Sequence, residues 1–322
     1  MRIIVMGVGA VGGTIAACLA LAGRDVVGVA RGAQLATIRA KGLRLHSPEI
    51  DAVARFDCVS DPADIALRSD DSILLSVKTQ HTPAALEQLR AAGVTDQPIF
   101  CAQNGVENER LAARIFPNVH GMAVMLPADF VSAGEVQAYG TPNCGFFDIG
   151  RFPSGSDTGD AALAEALNGT GLRAFVTDDV MARKYGKLLL NLGNGVEAAI
   201  GRGADPAPFT EVLKAEAVAV FKAAGIPWRD MGRSDPRRTD IMRIGEIAGV
   251  TRVGSSSTQS LERAAGSIET DYMNGEIALL GRLHGVPTPA NAALARIAAD
   301  LAQARRPPGS MSSQEFASAL GL

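Results

Sequence analysis

Three glycines near the start of the chain, Gly7, Gly9 and Gly12, have the spacing G-x-G-x-x-G, and the residues around them suit that spacing to an anion. A short apolar run, 3–6, leads into Gly7, and an alanine-rich stretch, 10–22, follows at once. In such a strand–turn–helix, the first glycine permits the tight turn and the second lets backbone approach a pyrophosphate. The third lets the helix pack closely on the strand. The anion then meets free N–H groups and the positive end of the helix dipole. Gly7, Val8, Gly9, Ala10, Val11 and Gly12 are therefore the candidate dinucleotide loop. Residues 25–30 read as the second strand and end on Arg31, with no acid between Val26 and Gln34. An acid there would hold a ribose 2′-hydroxyl, whereas arginine suits a 2′-phosphate, so the pattern points to NADPH over NADH.

A second group of candidates lies in the other half of the chain. Lys187 and Asn191 are four residues apart and share a helical face, and Asn194 follows about one turn later. Leu188, Leu189, Leu190 and Leu192 surround them, so the helix reads as largely apolar and buried. Polar groups there need partners or a purpose. A snorkelling lysine with two backbone-capping asparagines satisfies that need as well as a reactive site does, and both readings stand at this point. Lys184, nearer the helix start, is expected to reach water. Downstream come a hydroxyl-rich run, 254–258, and Glu269 and Asp271, which bring acids to an otherwise apolar segment. In the first half, Val77-Lys78-Thr79 and Gln103-Asn104-Gly105 follow the third and fourth expected parallel strands. That edge is where doubly wound sheets bind ligands.

The elements that must position these residues alternate strand and helix up to residue 125. Helices are expected at 33–41, 82–92 and near 107–115, with strands at 72–77, 98–102 and Val119–Met125. The near-continuous apolar character of 72–77 is that of a strand buried on both faces of a parallel sheet. Segments 135–140 and 143–149 read as antiparallel hairpin strands at an edge, 160–169 as a helix, and Leu172–Val176 as the last strand. Beyond Asp178 helical patterns replace strands: 179–200, 207–224, 236–248, 256–266, 268–284 and 289–304, then a short terminal helix. The predicted fold is α/β: an N-terminal Rossmann-type doubly wound parallel sheet, 1–177, with a C-terminal all-helical domain, 178–322.

Composition narrows the function classes. The chain has 322 residues, 47 % of them apolar, and a net charge of −3, without the basic footprint of a nucleic-acid binder. No apolar run reaches the ~18 residues that would span a membrane. Its four cysteines and four histidines are scattered without metal-ligand spacing, which suits buried thiols in a reducing, cytoplasmic compartment and no metal.

Taken in order, the glycine fingerprint, Arg31, Val77-Lys78, Gln103-Asn104-Gly105, Tyr185-x-Lys187-Leu188-x-x-Asn191, the serine run and Glu269-x-x-Tyr272-x-Asn274-Gly275 resemble the ketopantoate reductase (2-dehydropantoate 2-reductase) family. The resemblance covers almost the whole chain. It implies an NADPH-dependent oxidoreductase of pantothenate biosynthesis that reduces a small 2-oxo acid, most directly 2-dehydropantoate to pantoate. It assigns Lys187 and Glu269 as catalytic, and Asn191, Asn194, Ser257 and Asn104 to the substrate. Arg31 and Lys78 fall at the 2′-phosphate and adenine end of the cofactor, and Asn104 and Glu269 near its reactive end. A homodimer through the helical domain is the candidate assembly. The sequence departs from the family where Tyr185 replaces a tryptophan and Gly195 stands at the second helix asparagine. It departs again at Thr258, Ser260 and Ile268. Alternatives from other classes are a paralogue acting on another 2-oxo acid or an imine, as opine-type dehydrogenases do, and a non-catalytic NADP(H) sensor. A sensor would need the glycine loop but not Lys187 with Glu269.

One expectation follows directly for Arg31. Arg31→Ala removes a charge-assisted contact worth ~1.5–3 kcal/mol, so NADPH should bind about tenfold more weakly or worse while NADH affinity barely changes. Equal dissociation constants for the two cofactors in the unaltered protein would refute the assignment.

Overall fold

In a computed structural model of the protein, residues 1–232 and 234–322 are described. The chain forms two compact units, Met1–Lys184 with Arg233–Thr251, and Tyr185–Gly232 with Arg252–Leu322. In the first unit β1 (Arg2–Met6), α1 (Ala10–Leu21), β2 (Val26–Val29) and α2 (Gly32–Lys41) open the chain. There follow β3 (Leu43–His46), β4 (Asp51–Ala54), β5 (Asp57–Val59), β6 (Asp71–Leu75), α3 (Thr82–Ala91), β7 (Ile99–Cys101) and α4 (Asn108–Ala113). Next come β8 (Val119–Met125), β9 (Ala128–Ser132), β10 (Glu135–Ala138), β11 (Gly140–Pro142), β12 (Gly145–Arg151), α5 (Thr158–Leu167) and β13 (Leu172–Val176).

Among the described residues the main sheet has eight strands in the order β13-β12-β8-β7-β6-β1-β2-β5. Pairing is parallel from β5 through to β8, then antiparallel between β8 and β12, and parallel again to β13. Alternate residues of β1 serve opposite faces: Ile3 and Val5 join one core cluster, Ile4 and Met6 the other. With both faces covered, the strands read as unbroken apolar runs. The chain leaves β1 toward β2 on one side and later returns to β6 on the other, which makes the end of β1 the topological switch point.

A second sheet, β4-β3-β10-β9, packs on α1. This layer corrects the expected edge hairpin. Residues 135–138 belong to the second sheet, while β12 lies inside the main sheet with β13 beyond it. Strands β3 and β4 had no counterpart in the sequence reading, although Leu43 and Leu45 alternate with Arg44 in the strand manner.

Helix α6 (Val180–Asn191) follows β13, and the second unit continues with α7 (Asn194–Ile200) and α8 (Ala207–Ala224). The chain then returns to the first unit with α9 (Arg237–Asp240) and β14 (Met242–Ile244), before α10 (Ser256–Glu262), α11 (Asn274–His284), α12 (Pro289–Gln303) and α13 (Ser313–Leu320). The helical patterns are thus right in kind and too long in three places. The expected helix 179–200 breaks at Leu192–Gly193. The expected helix 268–284 is a short 3₁₀ turn, Glu269–Tyr272, followed by α11, because Met273 (φ −116°, ψ −84°) leaves helical geometry. The expected helix 236–248 is one turn, α9, and then β14, which pairs antiparallel with β11.

That returning segment also explains why a single boundary near Asp178 differs from the two units. Arg237 lies over the rings of Phe146 and Phe175, at 4.8 and 5.4 Å. It donates to both oxygens of buried Asp148, at 2.6 and 3.1 Å, and to Asp235. Hydrogen bonds from Asn143 to the Ile241 carbonyl (2.9 Å) and from the Gly245 N–H to Tyr139 (2.7 Å) add to the attachment. Arg237→Ala should strand the Asp148 carboxylate in the core. A buried pair broken on one side costs roughly 3–5 kcal/mol, at the lower end here because Arg183 lies 3.8 Å from the same carboxylate. The urea midpoint should fall accordingly, and an unchanged midpoint would show that the segment is held by other contacts.

Candidate active site

Each glycine of the fingerprint has a distinct steric reason. Gly7 has φ +106°, and a Cβ there would sit 2.7 Å from Val77 Cγ1. A Cβ on Gly12 would meet the Gly7 carbonyl at 2.1 Å and Ser76 Oγ at 2.3 Å, so α1 can approach β1 and β6 only with hydrogen at this position. Gly9 is the opposite case: nothing lies within 4 Å of its would-be Cβ, leaving open space at the helix end. Gly9 is the N-cap of α1, no side chain caps it, and the first turn has no acid. Open space, uncapped N–H groups and no competing anion fit a pyrophosphate.

The loop is held from both sides. Ser76 Oγ donates to the Gly7 carbonyl at 2.8 Å. Gln34 donates to the Val8 carbonyl at 2.9 Å and accepts from the Gly134 N–H at 2.7 Å, tying the loop to the second sheet. Sequence reasoning missed Gln34, whose role comes from a partner a hundred residues away. Arg31 is exposed at the end of β2, as the N-cap of α2, and its guanidinium reaches Gln88 Oε1 at 3.1 Å. Lys78 is half-buried just after β6, and Asn104 half-buried after β7. The glycines, Arg31, Lys78 and Asn104 therefore follow four neighbouring parallel strands, β2, β1, β6 and β7, at one edge of the sheet.

The loops after β6 and β7 share a buried network. Gln103 donates to the Val77 carbonyl and to Thr82 Oγ1, both at 2.8 Å. Thr82 donates to Asn108 Oδ1 (2.8 Å), and Asn108 donates to Thr79 Oγ1 (3.2 Å) and to the Asn104 carbonyl (3.1 Å). Lys184 completes it, and here the structure corrects the sequence reading. Rather than reaching water, Lys184 is 2 % exposed and ion-paired with buried Glu109, and it donates to the carbonyls of Cys101 (3.3 Å) and Gln103 (3.1 Å). Burial pushes the Glu109 carboxyl above its ordinary value, and the neighbouring ammonium offsets this only in part.

In the second unit Lys187 is half-buried, with Leu188 and Leu192 buried and Leu189 and Leu190 half-buried. Asn191 is 8 % exposed, and its Nδ2 donor has no hydrogen-bond partner among the described residues. Tyr185 packs edge-on against Phe221 at 5.2 Å. Asn194 opens α7 rather than extending α6, and its carbonyl accepts from Ser255 Oγ at 3.2 Å. Glu197, which the sequence reading passed over, accepts from the Ser255 N–H (2.7 Å) and from Thr258 Oγ1 (2.8 Å). These bonds join α7 to the first turn of α10, which carries buried Ser257. Glu269 is buried at the start of its 3₁₀ turn, and burial raises the Asp271 carboxyl.

One cluster that residue spacing did not reveal lies elsewhere in the first unit. His120, Asp157 and Asp160 place ligand-type atoms within 4.8 Å of one another. Their bonds are already used: His120 meets Asp160 at 2.8 Å and Asn118 at 2.9 Å, and Asp157 pairs with Arg151 and caps α5. All four cysteines are buried with free thiols. Among the described residues no helix is long and apolar enough to cross a membrane.

A mostly parallel sheet whose switch-point strand enters an uncapped glycine turn defines a Rossmann-type dinucleotide-binding protein. More narrowly, the chain belongs to the ketopantoate reductase PanE/ApbA family, matched over residues 3–153, with its C-terminal domain matched over 179–302. The family comprises oxidoreductases acting on CH–OH groups. The chain is 30 % identical over 317 residues to the 2-dehydropantoate 2-reductase of Mesorhizobium japonicum, covering 90 % of this chain and 94 % of the relative. It is 29 % identical over 300 residues to that of Archaeoglobus fulgidus, covering 91 % and 95 %. The crystal structure of a PanE/ApbA family ketopantoate reductase from Ralstonia eutropha is similar with a TM-score of 0.79 and 26 % identity, covering 95 % of this chain and all of that one.

The two lysines of α6 should separate cleanly on mutation. Lys184→Met leaves Glu109 buried without its cation and should destabilise the fold by about 3–5 kcal/mol at pH 8. Glu109 has a folded-state value above its unfolded one, so the penalty applies where the unfolded carboxyl is ionised and shrinks as pH falls toward the unfolded value. Urea unfolding at pH 8 and pH 5 should show the smaller loss at pH 5; equal losses would mean Glu109 does not titrate in this way.

Proposed function

We propose that the protein reduces a small 2-oxo acid to the 2-hydroxy acid with NADPH, and that the substrate is 2-dehydropantoate, giving pantoate. The observation that carries the reading is the Asn191 amide, buried with an unmatched Nδ2 donor one helical turn from Lys187. A buried donor without a partner is costly, and an oxygen of a bound substrate would complete it. Family membership and the open cradle at Gly9 support the cofactor half.

NADPH, when bound, supplies a hydride to the substrate's ketone carbon. Gly7, Gly9, Gly12 and the first-turn N–H groups of α1 would hold its pyrophosphate, and Arg31 and Lys78 its 2′-phosphate end. Lys187 points an ammonium at the ketone oxygen, stabilises the negative charge that develops there and donates the proton that completes the hydroxyl. Glu269 accepts hydrogen bonds from the substrate hydroxyl and from Lys187. Asn191, Asn194 and Asn104 orient the substrate, and Ser257 binds its carboxylate. The balanced reaction consumes one proton and yields the 2-hydroxy acid and NADP⁺. On the same reading the protein works in a reducing cytoplasm, which its free, buried cysteines suit, and a homodimer through the helical unit is the proposed assembly.

The test is an NADPH-oxidation screen of purified protein against 2-dehydropantoate, other aliphatic and aryl 2-oxo acids, and 2-oxo acids mixed with amines. 2-Dehydropantoate should give the highest kcat/KM. Turnover only in the presence of an amine would move the protein to the opine-type class, and no turnover at all would favour a sensor. Lys187→Ala should lower kcat by roughly 10²–10⁴-fold with NADPH affinity nearly unchanged. Glu269→Ala should chiefly raise KM. Near-normal turnover by Lys187→Ala would exclude the mechanism.

A further inference from the structure

The break between α6 and α7 sits directly after the segment that carries Lys187 and Asn191. The Leu192 N–H still donates to the Leu188 carbonyl and the Glu197 N–H to the Gly193 carbonyl, both at 3.1 Å, and the Leu192 carbonyl accepts a hydrogen bond from a side chain. Asn274 Nδ2 donates to that carbonyl at 3.2 Å. Asn274 is the first residue of α11, five residues after Glu269 and separated only by Met273 from the 3₁₀ turn that Glu269 begins. The turn is closed onto the same helix start, since the Met273 N–H donates to the Thr270 carbonyl at 3.1 Å. One amide therefore bridges the end of the lysine helix and the root of the glutamate turn.

The bridge is itself anchored. The second Nδ2 hydrogen of Asn274 goes to Asn291 Oδ1 at 2.9 Å. Asn291 donates in turn to the Leu213 carbonyl (3.0 Å) and to Glu216 (2.8 Å). Glu216 accepts from the N–H groups of Ala290 and Asn291, at 2.9 and 3.0 Å, and so caps the start of α12. Asn274 is 1 % exposed and Asn291 fully buried, so water does not reach the links from these two amides to the Leu192 and Leu213 carbonyls or to each other, while Glu216 is half-buried. Both amide donors of Asn274 and of Asn291 are thus matched, while Asn274 Oδ1 is left without a partner among the described residues. Buried donors matched in series hold the elements they join in one arrangement.

We propose that Asn274 is a positioning residue that sets the register of the Lys187 helix against the Glu269 turn, through its hydrogen bond to the Leu192 carbonyl. It touches neither reacting group on this reading and acts through the two backbone segments. The proposal rests on the catalytic roles given above to Lys187 and Glu269. Only an amide of this length supplies two donors to two acceptors here. A carboxylate would face the Leu192 carbonyl with an acceptor, and alanine would leave that carbonyl unmatched.

The experiment compares the unaltered protein with Asn274→Asp, Asn274→Ala, Asn274→Ser and Asn291→Ala. Two readouts are taken: steady-state reduction of the best 2-oxo acid at saturating NADPH, and amide hydrogen exchange by mass spectrometry. Asn274→Asp and Asn274→Ala should lower kcat by about tenfold to a hundredfold, as a misplacement near 1 Å does. KM and the NADPH dissociation constant should move less than about threefold. Exchange should quicken together in peptides covering 188–196 and 269–275, the signature of a shared local opening. Asn274→Ser keeps a donor and should recover part of kcat; being the mildest change, it also carries the test if the other two fail to fold. Asn291→Ala should quicken exchange around 213–217 and 289–292 and lower kcat less than Asn274→Ala does, because the bond to Leu192 survives while its anchor is lost. Unchanged exchange in both marker segments of the Asn274 variants would overturn the bridge whatever the activity. Quickened exchange with kcat within about twofold of the unaltered protein would overturn the positioning role. If the unaltered protein turns over no 2-oxo acid, the functional reading falls and the exchange data alone decide the bridge.

Discussion

The tight contact of α1 with its surroundings is the constraint on which the rest of the cofactor half depends. At Gly12 there is room for a hydrogen and nothing more against the Gly7 carbonyl and Ser76. At the next residue, Gly13, a Cβ would be 3.0 Å from Val136 Cγ1 of the second sheet. Two consecutive glycines thus let one helix press on the main sheet and on a second layer at once, which is why α1 is apolar around most of its circumference. Pinned at that distance, its N-terminus lies over the end of β1 at the switch point. The N–H groups that would otherwise need a side-chain cap remain available to an anion. Ser76 and Gln34 then only need to hold the loop's carbonyls, and both do.

Three buried donors, Lys184 and Gln103 in one unit and Asn274 in the other, follow a shared rule: they bind backbone carbonyls where an element ends. Lys184 takes two carbonyls at the end of β7, Gln103 one beyond β6, and Asn274 one at the end of α6. Strand and helix ends leave carbonyls that the ladder or the helix does not use, so a donor placed there satisfies itself while fixing the loop that follows. Those loops carry Lys78 and Asn104 in one unit and lead to Asn194 in the other. Precision at the candidate site therefore comes from residues that would look, on a sequence, like misplaced polar groups in a core.

This rule also explains what the sequence revealed and what it hid. The glycine loop, the apolar strands β1, β6 and β8 and the change to helical patterns after β13 are local signals, carried by spacing and periodicity over a few residues. The second sheet, the return of 234–251 and the burial of Lys184 depend on partners far away in the chain. Leu43-Arg-Leu-His alternates and pairs with nearby β4, but β10, some ninety residues on, is what joins that hairpin to β9 in a four-stranded sheet. The segment 236–248 has acceptable helical composition, yet β11 offers β14 an unpaired edge and Arg237 a buried carboxylate, and tertiary context prevails over propensity. Lys184 and Lys187 differ by less than one helical turn, and periodicity alone cannot say which of them meets a buried glutamate.

The departures from the family pattern in α10 can be weighed by the same physical standard. Thr258 and Ser260 are both buried, and each hydroxyl has a local acceptor: Glu197 for Thr258, and the Ser256 carbonyl at 2.9 Å for Ser260. A hydroxyl introduced into a packed helix without an acceptor would cost about 1–3 kcal/mol, so the carboxylate on α7 makes Thr258 tolerable. The same Glu197 oxygen accepts from the Ser255 N–H, so one acid links the capping turn of α10 to α7. Both changed side chains are thus absorbed into how α10 is held. Ser257, just before both of them and two residues inside the Ser255 cap, is buried as well. The residues at 258 and 260 therefore decide how the first turns of α10 are held, through Glu197 and the Ser256 carbonyl, while the Ser257 hydroxyl is used in neither bond.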